Sequence, residues 1–188
     1  ISINLDIDIY WFTVLVRAHQ NIKMPLHHQS KMTTTSLLQS LLQERILVLD
    51  GAMGSMIQTY KLQEEDFRGD LLKDHPGELR GCNDLLCLTQ PHIIEEIHRS
   101  YLEAGADIIE TNTFNAPPFS LKDYQLQDHV AEINTAAALL ARRAAAALST
   151  PDKKRLVAGS LGPTNITLSL SPDVNSPGYR THRFEETV

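Results

Sequence analysis

The sequence predicts an α/β fold with a parallel sheet, because three short apolar runs alternate with two longer helical patterns. The runs are "RILVLDGA", "DIIETNTF" and "RLVAGSLGPTN", at residues 45–52, 107–114 and 155–165. Strands joined by helices in this way run parallel, and their carboxyl ends meet at one edge of the sheet. All three runs end in glycine or polar residues, so we expect a ligand site at that edge.

A short amphipathic helix is predicted before the first run, because leucines recur on one face of residues 33–45. The first run is continuously apolar, which is typical of a strand buried on both faces. The connection at residues 55–90 is long and polar. Because a structureless loop of that length is uncommon, we expect it to contain short helical pieces.

Two longer helices are predicted between the three runs. The first has Pro91 in its opening turn and stops at Gly105, a residue type that favours helix C-termini. The second is rich in alanine, begins at Asp128 and is closed by Pro151. Their apolar faces are predicted to form the core, through Ile93, Ile94, Ile97, Tyr101 and Leu102 on the first helix and Val130, Ile133, Ala137 and Leu140 on the second.

Composition limits the class of protein. A chain of 188 residues with 42% hydrophobic residues can form one ordinary globular domain. The net charge of -6 and the pI of about 5.7 argue against a nucleic-acid-binding protein. The two cysteines, Cys82 and Cys87, have the spacing of neither a disulfide scaffold nor a zinc motif, which favours reduced thiols and a cytoplasmic location.

The N-terminal region lacks the regular patterns of the later chain. Its apolar patch, residues 9–16, is too short to span a membrane and follows acidic rather than basic residues. We therefore expect residues 1–31 to lie outside the domain, with Met32 as a natural start. The domain is predicted to occupy residues 32–188, with no membrane partner.

The glycine turn after the first run, "DGAMGSM", has two interpretations. It has neither the spacing and lysine of a phosphate-binding loop nor the three glycines of a dinucleotide-binding fingerprint. Gly51 can supply a positive φ in a plain turn, and the pattern alone favours this interpretation. The backbone N–H groups of such a turn can also bind a small anion, such as the carboxylate of an amino acid.

The end of the second run has polar side chains on both faces. A period of two places Glu110 and Asn112 on one face of the strand, and Thr111 and Thr113 on the other. A carboxylate and an amide suit the ammonium and carboxylate groups of a zwitterionic ligand. Polar packing within the sheet is an equally open alternative.

The remaining polar residues have simpler interpretations. No Ser-His-Asp arrangement or metal-ligand cluster can be assembled from their spacing. The acidic pair in "EEDFRGD" is predicted to form a solvated face or a capping element. Four histidines of the later chain are predicted to lie at the surface: His75, His92, His98 and His129.

Several segments, in order from about Arg45 to the C-terminus, form a recognisable set: "LDGAMGSMIQ", "DFRGD", "GCNDLLCLTQP", "YLEAGADIIETNTFNA", "VAGSLGPTN" and "SPDVN". Together they resemble the N-terminal homocysteine-binding domain of the cobalamin-dependent methionine synthases, within the homocysteine S-methyltransferase family. The "DFRG" and "SPDVN" segments favour the cobalamin-dependent branch. The resemblance implies the N-terminal part of a (β/α)8 TIM barrel, incomplete, with about three βα units.

The resemblance also implies an activity, the transfer of a methyl group to the sulfur of homocysteine to give methionine. Zinc would bind the homocysteine thiol as a thiolate. Methylcobalamin would be the immediate donor, and methyltetrahydrofolate would supply the methyl group through other domains. The resemblance implies that five residues bind homocysteine: Asp50, Gly51, Glu110, Asn112 and Thr113.

The zinc ligands of the family are cysteines on later strands, expected beyond Val188, so the resemblance does not assign Cys82 or Cys87 to zinc. A chain with about three of the eight strands is expected to be a catalytically inactive fragment that is poorly stable alone. Two alternatives stay open. One is a shorter methyltransferase that uses S-methylmethionine or betaine as donor, and the other is a non-catalytic binding fragment.

Overall fold

A computed structural model of the chain describes residues 34–163, 166 and 168–183, and divides the chain into two units, Ile1–Leu47 and Val48–Val188. The predicted N-terminal extension, residues 1–31, lies outside the described residues. In the first unit, α1 (Thr34–Glu44) is the amphipathic helix that the leucine spacing predicts.

The second unit contains most of the regular structure. The long connection at residues 55–90 is built from short helical pieces, as predicted. The helices of the second unit are α2 (Met53–Thr59), α3 (Glu64–Arg68), α4 (Leu86–Thr89), α5 (Pro91–Ala104), α6 (Pro118–Lys122) and α7 (Val130–Leu148). The unit also has 3-10 turns at Asn83–Leu85 and Gln127–His129.

The two longer helices, α5 and α7, form the core and confirm the predicted pattern closely. Pro91 is the first residue of α5, and Gly105 ends it with a left-handed φ of 117°. The helix α7 begins at Val130 rather than at Asp128, because a 3-10 turn precedes it. Most of the predicted core positions are fully buried, namely Ile94, Ile97, Leu102, Ile133 and Ala137, each 0% exposed.

The sheet is small and parallel. Strand β1 (Ile108–Glu110) pairs with β2 (Leu156–Ala158), with Ile109 opposite Val157. On the other side of β1, Leu49 forms an isolated parallel bridge with Ile108. The fold is therefore α-rich with a small parallel sheet in which β1 is central, and its assignment as the incomplete N-terminal part of a (β/α)8 barrel stays a prediction.

The first predicted strand, residues 45–52, differs from the expectation of complete burial. Only Leu49 within it forms a bridge, and the side chains of Val48 and Leu49 are 53% and 50% exposed. Among the described residues only β1 pairs with this segment. A strand needs neighbours on both edges and layers on both faces to be buried completely.

One prediction about a polar residue on the helices was wrong. The imidazole of His98 on α5 is 0% exposed, and neither of its ring nitrogens has a hydrogen-bond partner. Burial lowers the pKa of His98 to about 4, so this residue is a neutral core side chain and not a surface histidine. His92, on the same helix, is exposed as predicted.

The acidic pair predicted to form a solvated face or a capping element lies in the first turn of α3, which begins with a capping box formed by Gln63 and Asp66. Glu65 of the pair is exposed, and Glu64 is partly exposed. Glu64 also makes contacts that the pattern did not predict. Its carboxylate binds the Arg68 guanidinium at 2.8 Å and accepts backbone N–H groups of Leu79 and Arg80 at 3.0 and 2.7 Å. Arg68 in turn donates to the carbonyl oxygens of His75 and Gly77. We call this pair the Glu64–Arg68 clamp, because it holds residues 69–80 against α3.

No helix in the part of the chain that the structure describes is long and apolar enough to cross a membrane.

Candidate functional site

A cavity of about 460 Å³ lies at the carboxyl ends of the parallel segments of the second unit. It is lined by four of the five residues that were expected from the sequence to bind the ligand, namely Asp50, Gly51, Glu110 and Asn112. The others that line it are Ala52, Met53, Gly54, Asn83, Asp84, Thr111, Phe114, Asn115 and Ser160. The expected meeting of strand ends at one edge is therefore confirmed for the described residues.

Asp50 is held at the end of the first segment by backbone hydrogen bonds. Its N–H donates to the carbonyl oxygen of Ile108 at 2.9 Å, and its carboxylate oxygens accept the Glu110 N–H at 3.1 Å. Burial raises the pKa of Asp50 to about 6 against the effect of that hydrogen bond, and the nearby Glu110 charge adds to the rise. A carboxylate in this position is stabilised by a cationic ligand group.

Gly51 is packed closely against a neighbouring side chain, and its backbone conformation does not require glycine. It is not among the described glycines that have a positive φ, so the plain-turn explanation based on a positive φ was wrong. A Cβ at this position would lie 3.3 Å from the hydroxyl oxygen of Tyr101. That hydroxyl, on α5, donates to the carbonyl oxygen of Ala52 at 3.3 Å.

Asn112 is 6% exposed and its amide nitrogen is used inside the protein. The Nδ2 group donates to the carbonyl oxygen of Asn83 at 2.8 Å and lies 3.6 Å from the Cys87 Sγ. This arrangement leaves the side-chain carbonyl oxygen, an acceptor, as the group that Asn112 can offer to a ligand.

Thr113 is the implied site residue that does not line the cavity. Its hydroxyl lies 2.7 Å from that of Thr111, as the period of two predicts, and donates to the carbonyl oxygen of Ser160 at 2.7 Å. The Ser160 N–H donates back to the Thr111 hydroxyl at 3.0 Å. Thr113 thus joins the end of β1 to the end of β2, and its role is to hold the two together.

Sequence reasoning missed the contribution of the connection at residues 55–90. Asn83 and Asp84 lie in a 3-10 turn and reach the cavity although they follow no strand. The "GCNDLLCLTQP" segment was part of the resemblance, but no periodic pattern assigned these two residues to the site. From the predicted third strand end, Thr164 and Asn165 lie outside the described residues.

The residues in the described ranges do not fit a zinc site. Residues 34–163, 166 and 168–183 contain no group of three or more His, Cys, Asp or Glu side chains that could hold a metal ion. Cys82 and Cys87 are free and buried, and burial raises the pKa of each to about 12. Both are therefore neutral thiols, and no further ligand side chains complete a metal site with them in the described ranges.

Comparison with known proteins identifies relatives of this arrangement. Residues 47–188 match the family model described as homocysteine S-methyltransferase. The chain is similar to two structures of the homocysteine methyltransferase MmuM from Escherichia coli. The metallated form has 25% identity and a TM-score of 0.53, and the match covers 67% of this chain and 41% of that chain. The oxidized form has 27% identity and the same TM-score of 0.53, and the match covers 67% of this chain and 40% of that chain. This chain thus spans about two fifths of the length of the solved structures it matches.

Proposed function

We propose that this chain, which belongs to the homocysteine S-methyltransferase family, binds homocysteine in the cavity beside Asp50 and Glu110 for methyl transfer to its sulfur. The observation that carries the proposal is the placement of these two carboxylates at adjacent ends of parallel segments, within one cavity. In α/β folds this edge of the sheet is where ligands bind.

The described residues bind and orient the amino-acid part of the substrate. The carboxylates of Asp50 and Glu110 and the carbonyl oxygen of Asn112 accept hydrogen bonds from the ammonium group. Gly51 lines the same cavity and contributes backbone rather than side chain to its wall. Thr113 acts from outside the cavity, by holding the end of β1 in place. Together these contacts fix the substrate so that its sulfur has one orientation.

The methyl donor is a separate part of the proposal. We infer methylcobalamin, recharged by methyltetrahydrofolate in a cytoplasmic methionine synthase, from the resemblance of the "DFRG" and "SPDVN" segments. A shorter enzyme that uses S-methylmethionine or betaine is the alternative. Family members use zinc to activate the thiol, but the described residues do not fit zinc, so no step is assigned to it. Isotope-labelled methyl transfer from each donor, measured with the full-length protein, separates the donors.

Homocysteine binding is tested by isothermal titration calorimetry of the 188-residue chain. We expect L-homocysteine to bind, and 4-mercaptobutyrate, which lacks the ammonium group, to bind at least about tenfold more weakly. Glu110→Gln should cause a loss of similar size for L-homocysteine. Glu103→Gln, at an exposed position of α5 outside the cavity, is the matched control. Equal affinity for the two ligands would contradict the proposed ammonium site.

Asp50→Asn is expected to raise the midpoint of thermal unfolding at pH 7 while it weakens homocysteine binding. The folded-state pKa of about 6 lies above the ordinary value of 3.8. Between these values the folded state holds more protons than the unfolded state, so the stability falls as the pH rises through this window. The neutral amide avoids that loss at pH 7.

The measurement is thermal unfolding of wild type and Asp50→Asn at pH 7 and at pH 4. The advantage of the variant should be largest at pH 7 and should shrink at pH 4, where the wild-type carboxyl is largely protonated in the folded state. The opposite trend, in which the variant loses stability relative to wild type as the pH rises from 4 to 7, would show that the Asp50 charge stabilises the fold.

A further inference from the structure

Asp84 is a buried acidic residue in the cavity wall to which no role has yet been given. It lies in the 3-10 turn Asn83–Leu85 and is 3% exposed. Its Oδ1 atom accepts the backbone N–H of Asn115 at 2.9 Å. Asn115 follows the end of β1 and lines the same cavity.

The segment at residues 83–87, which contains Asp84, contacts the chain beyond β1 at two further points. The carbonyl oxygen of Asn83 accepts the Asn112 side-chain amide at 2.8 Å. The Cys87 Sγ lies 3.7 Å from the backbone carbonyl oxygen of Asn112 and 3.6 Å from the Nδ2 atom of the Asn112 side chain. Residues 83–87 therefore hold residues 112–115 at both ends of that short stretch.

From this geometry we propose that Asp84 is a positioning residue, which fixes the wall of the homocysteine cavity through its hydrogen bond to the Asn115 N–H. The inference rests on the proposed function only for the identity of the ligand. Asp84 acts through Asn115, and the ligand itself is bound by other groups. Asn115 has no periodic secondary structure to hold its backbone, since it lies between β1 and α6. The bond from Asp84 is the side-chain contact that fixes it.

A backbone N–H needs an acceptor oxygen and does not need that oxygen to be charged. Asp84→Asn keeps an oxygen in the same place and removes the charge. Asp84→Ala removes both. The two variants therefore separate a role in positioning from a role in which the ligand contacts the Asp84 charge directly.

The chain offers a matched control in Asp107, which is 2% exposed and accepts the Val48 N–H with its carboxylate at 3.0 Å. It makes the same type of bond at the opposite end of β1 and does not line the cavity. Asp107→Ala should lower stability and leave the cavity wall unchanged. Any general effect of losing a buried carboxylate will appear in both alanine variants.

The test combines amide hydrogen exchange by NMR with titration of L-homocysteine. In Asp84→Ala we expect exchange at the Asn115 N–H to accelerate and the affinity for L-homocysteine to fall about tenfold. In Asp84→Asn the Asn115 N–H should stay protected and the affinity should stay within about threefold of wild type. Asp107→Ala should accelerate exchange at Val48 and leave the affinity unchanged.

Two results would overturn the inference. One is unchanged Asn115 exchange in Asp84→Ala; the other is a loss of affinity in Asp84→Asn with Asn115 still protected, which would mean that the ligand contacts the charge. If Asp84→Ala does not fold, the Asp84→Asn result still decides between a positioning role and direct contact of the ligand with the Asp84 charge. If the wild-type chain does not bind L-homocysteine, the proposed function fails, and Asn115 exchange still reports on Asp84.

Discussion

Arg68→Ala is expected to lower the free energy of unfolding by about 3 kcal/mol, because it removes the central residue of the Glu64–Arg68 clamp. The guanidinium donates to the carbonyl oxygens of His75 and Gly77 at 2.6 and 2.7 Å and binds the Glu64 carboxylate at 2.8 Å. Hydrogen bonds of charged groups contribute about 1.5–3 kcal/mol each when buried. The Arg68 and Glu64 side chains are 22% and 26% exposed, so the summed effect is reduced by solvent.

Urea unfolding of wild type and variant measures this effect, with Lys73→Ala as the control. Lys73 forms an ion pair with Asp70 at 2.6 Å on the same loop, but the two side chains are 66% and 96% exposed. Its loss should leave the free energy of unfolding nearly unchanged, because solvent screens an exposed ion pair. Equal effects of the two substitutions would show that the clamp contributes no more than an exposed ion pair.

The clamp also has a pH dependence. Burial acts to raise the pKa of Glu64, but the hydrogen bonds from Leu79 and Arg80 and the charge of Arg68 outweigh it, and the pKa falls below its ordinary value of 4.5. A lowered pKa stabilises the fold above that ordinary value, and the contribution is lost as the pH falls through the folded-state pKa. The difference between wild type and Arg68→Ala should therefore narrow in acid.

Gly162→Ala is expected to cost about 2–3 kcal/mol and to weaken homocysteine binding, since a methyl group does not fit at this position. The Gly162 N–H donates to the carbonyl oxygen of Phe114 at 3.1 Å. A Cβ on Gly162 would overlap that oxygen and would lie 2.9 Å from Cδ1 of the Phe114 ring. Phe114 lines the cavity, so the shift that makes room for the methyl group displaces part of the cavity wall.

Gly159→Ala is the matched control, in the same loop after β2. A Cβ on Gly159 would meet no atom within 4 Å, and its φ is not positive. This substitution should be neutral, or stabilising by a few tenths of a kcal/mol because it restricts the unfolded chain. Thermal unfolding and L-homocysteine titration of both variants test the pair. If Gly162→Ala is as stable as Gly159→Ala, the approach of Gly162 to Phe114 is not maintained in solution.

The periodic parts of the fold were predictable and the aperiodic parts were not. The α5 face that contains Ile94 and Ile97 repeats every three to four residues, and such a face is buried in almost any tertiary context. The same spacing allowed His98 to be mistaken for a surface residue. Nothing in a helical period shows that a polar side chain on α5 is surrounded completely.

The site was partly predictable for a similar reason. Asp50, Glu110 and Asn112 follow apolar runs, and strand ends meet at one edge whatever the rest of the fold does. Asn83 and Asp84 come from a 3-10 turn in a long connection, and their place depends on hydrogen bonds to residues about thirty positions later. Local sequence patterns do not contain that information.

The cavity is assembled from bonds between residues that are far apart along the chain. Glu110 binds Asp50 across 60 positions, and Thr113 binds Ser160 across 47. Closing loops of that length costs entropy before any contact is gained, so such contacts tend to form late in folding. During synthesis, the β1 and β2 ends cannot be joined until Ser160 has left the ribosome. Homocysteine would then bind only to chains that have completed this step, and by mass action it would favour them over partly folded ones.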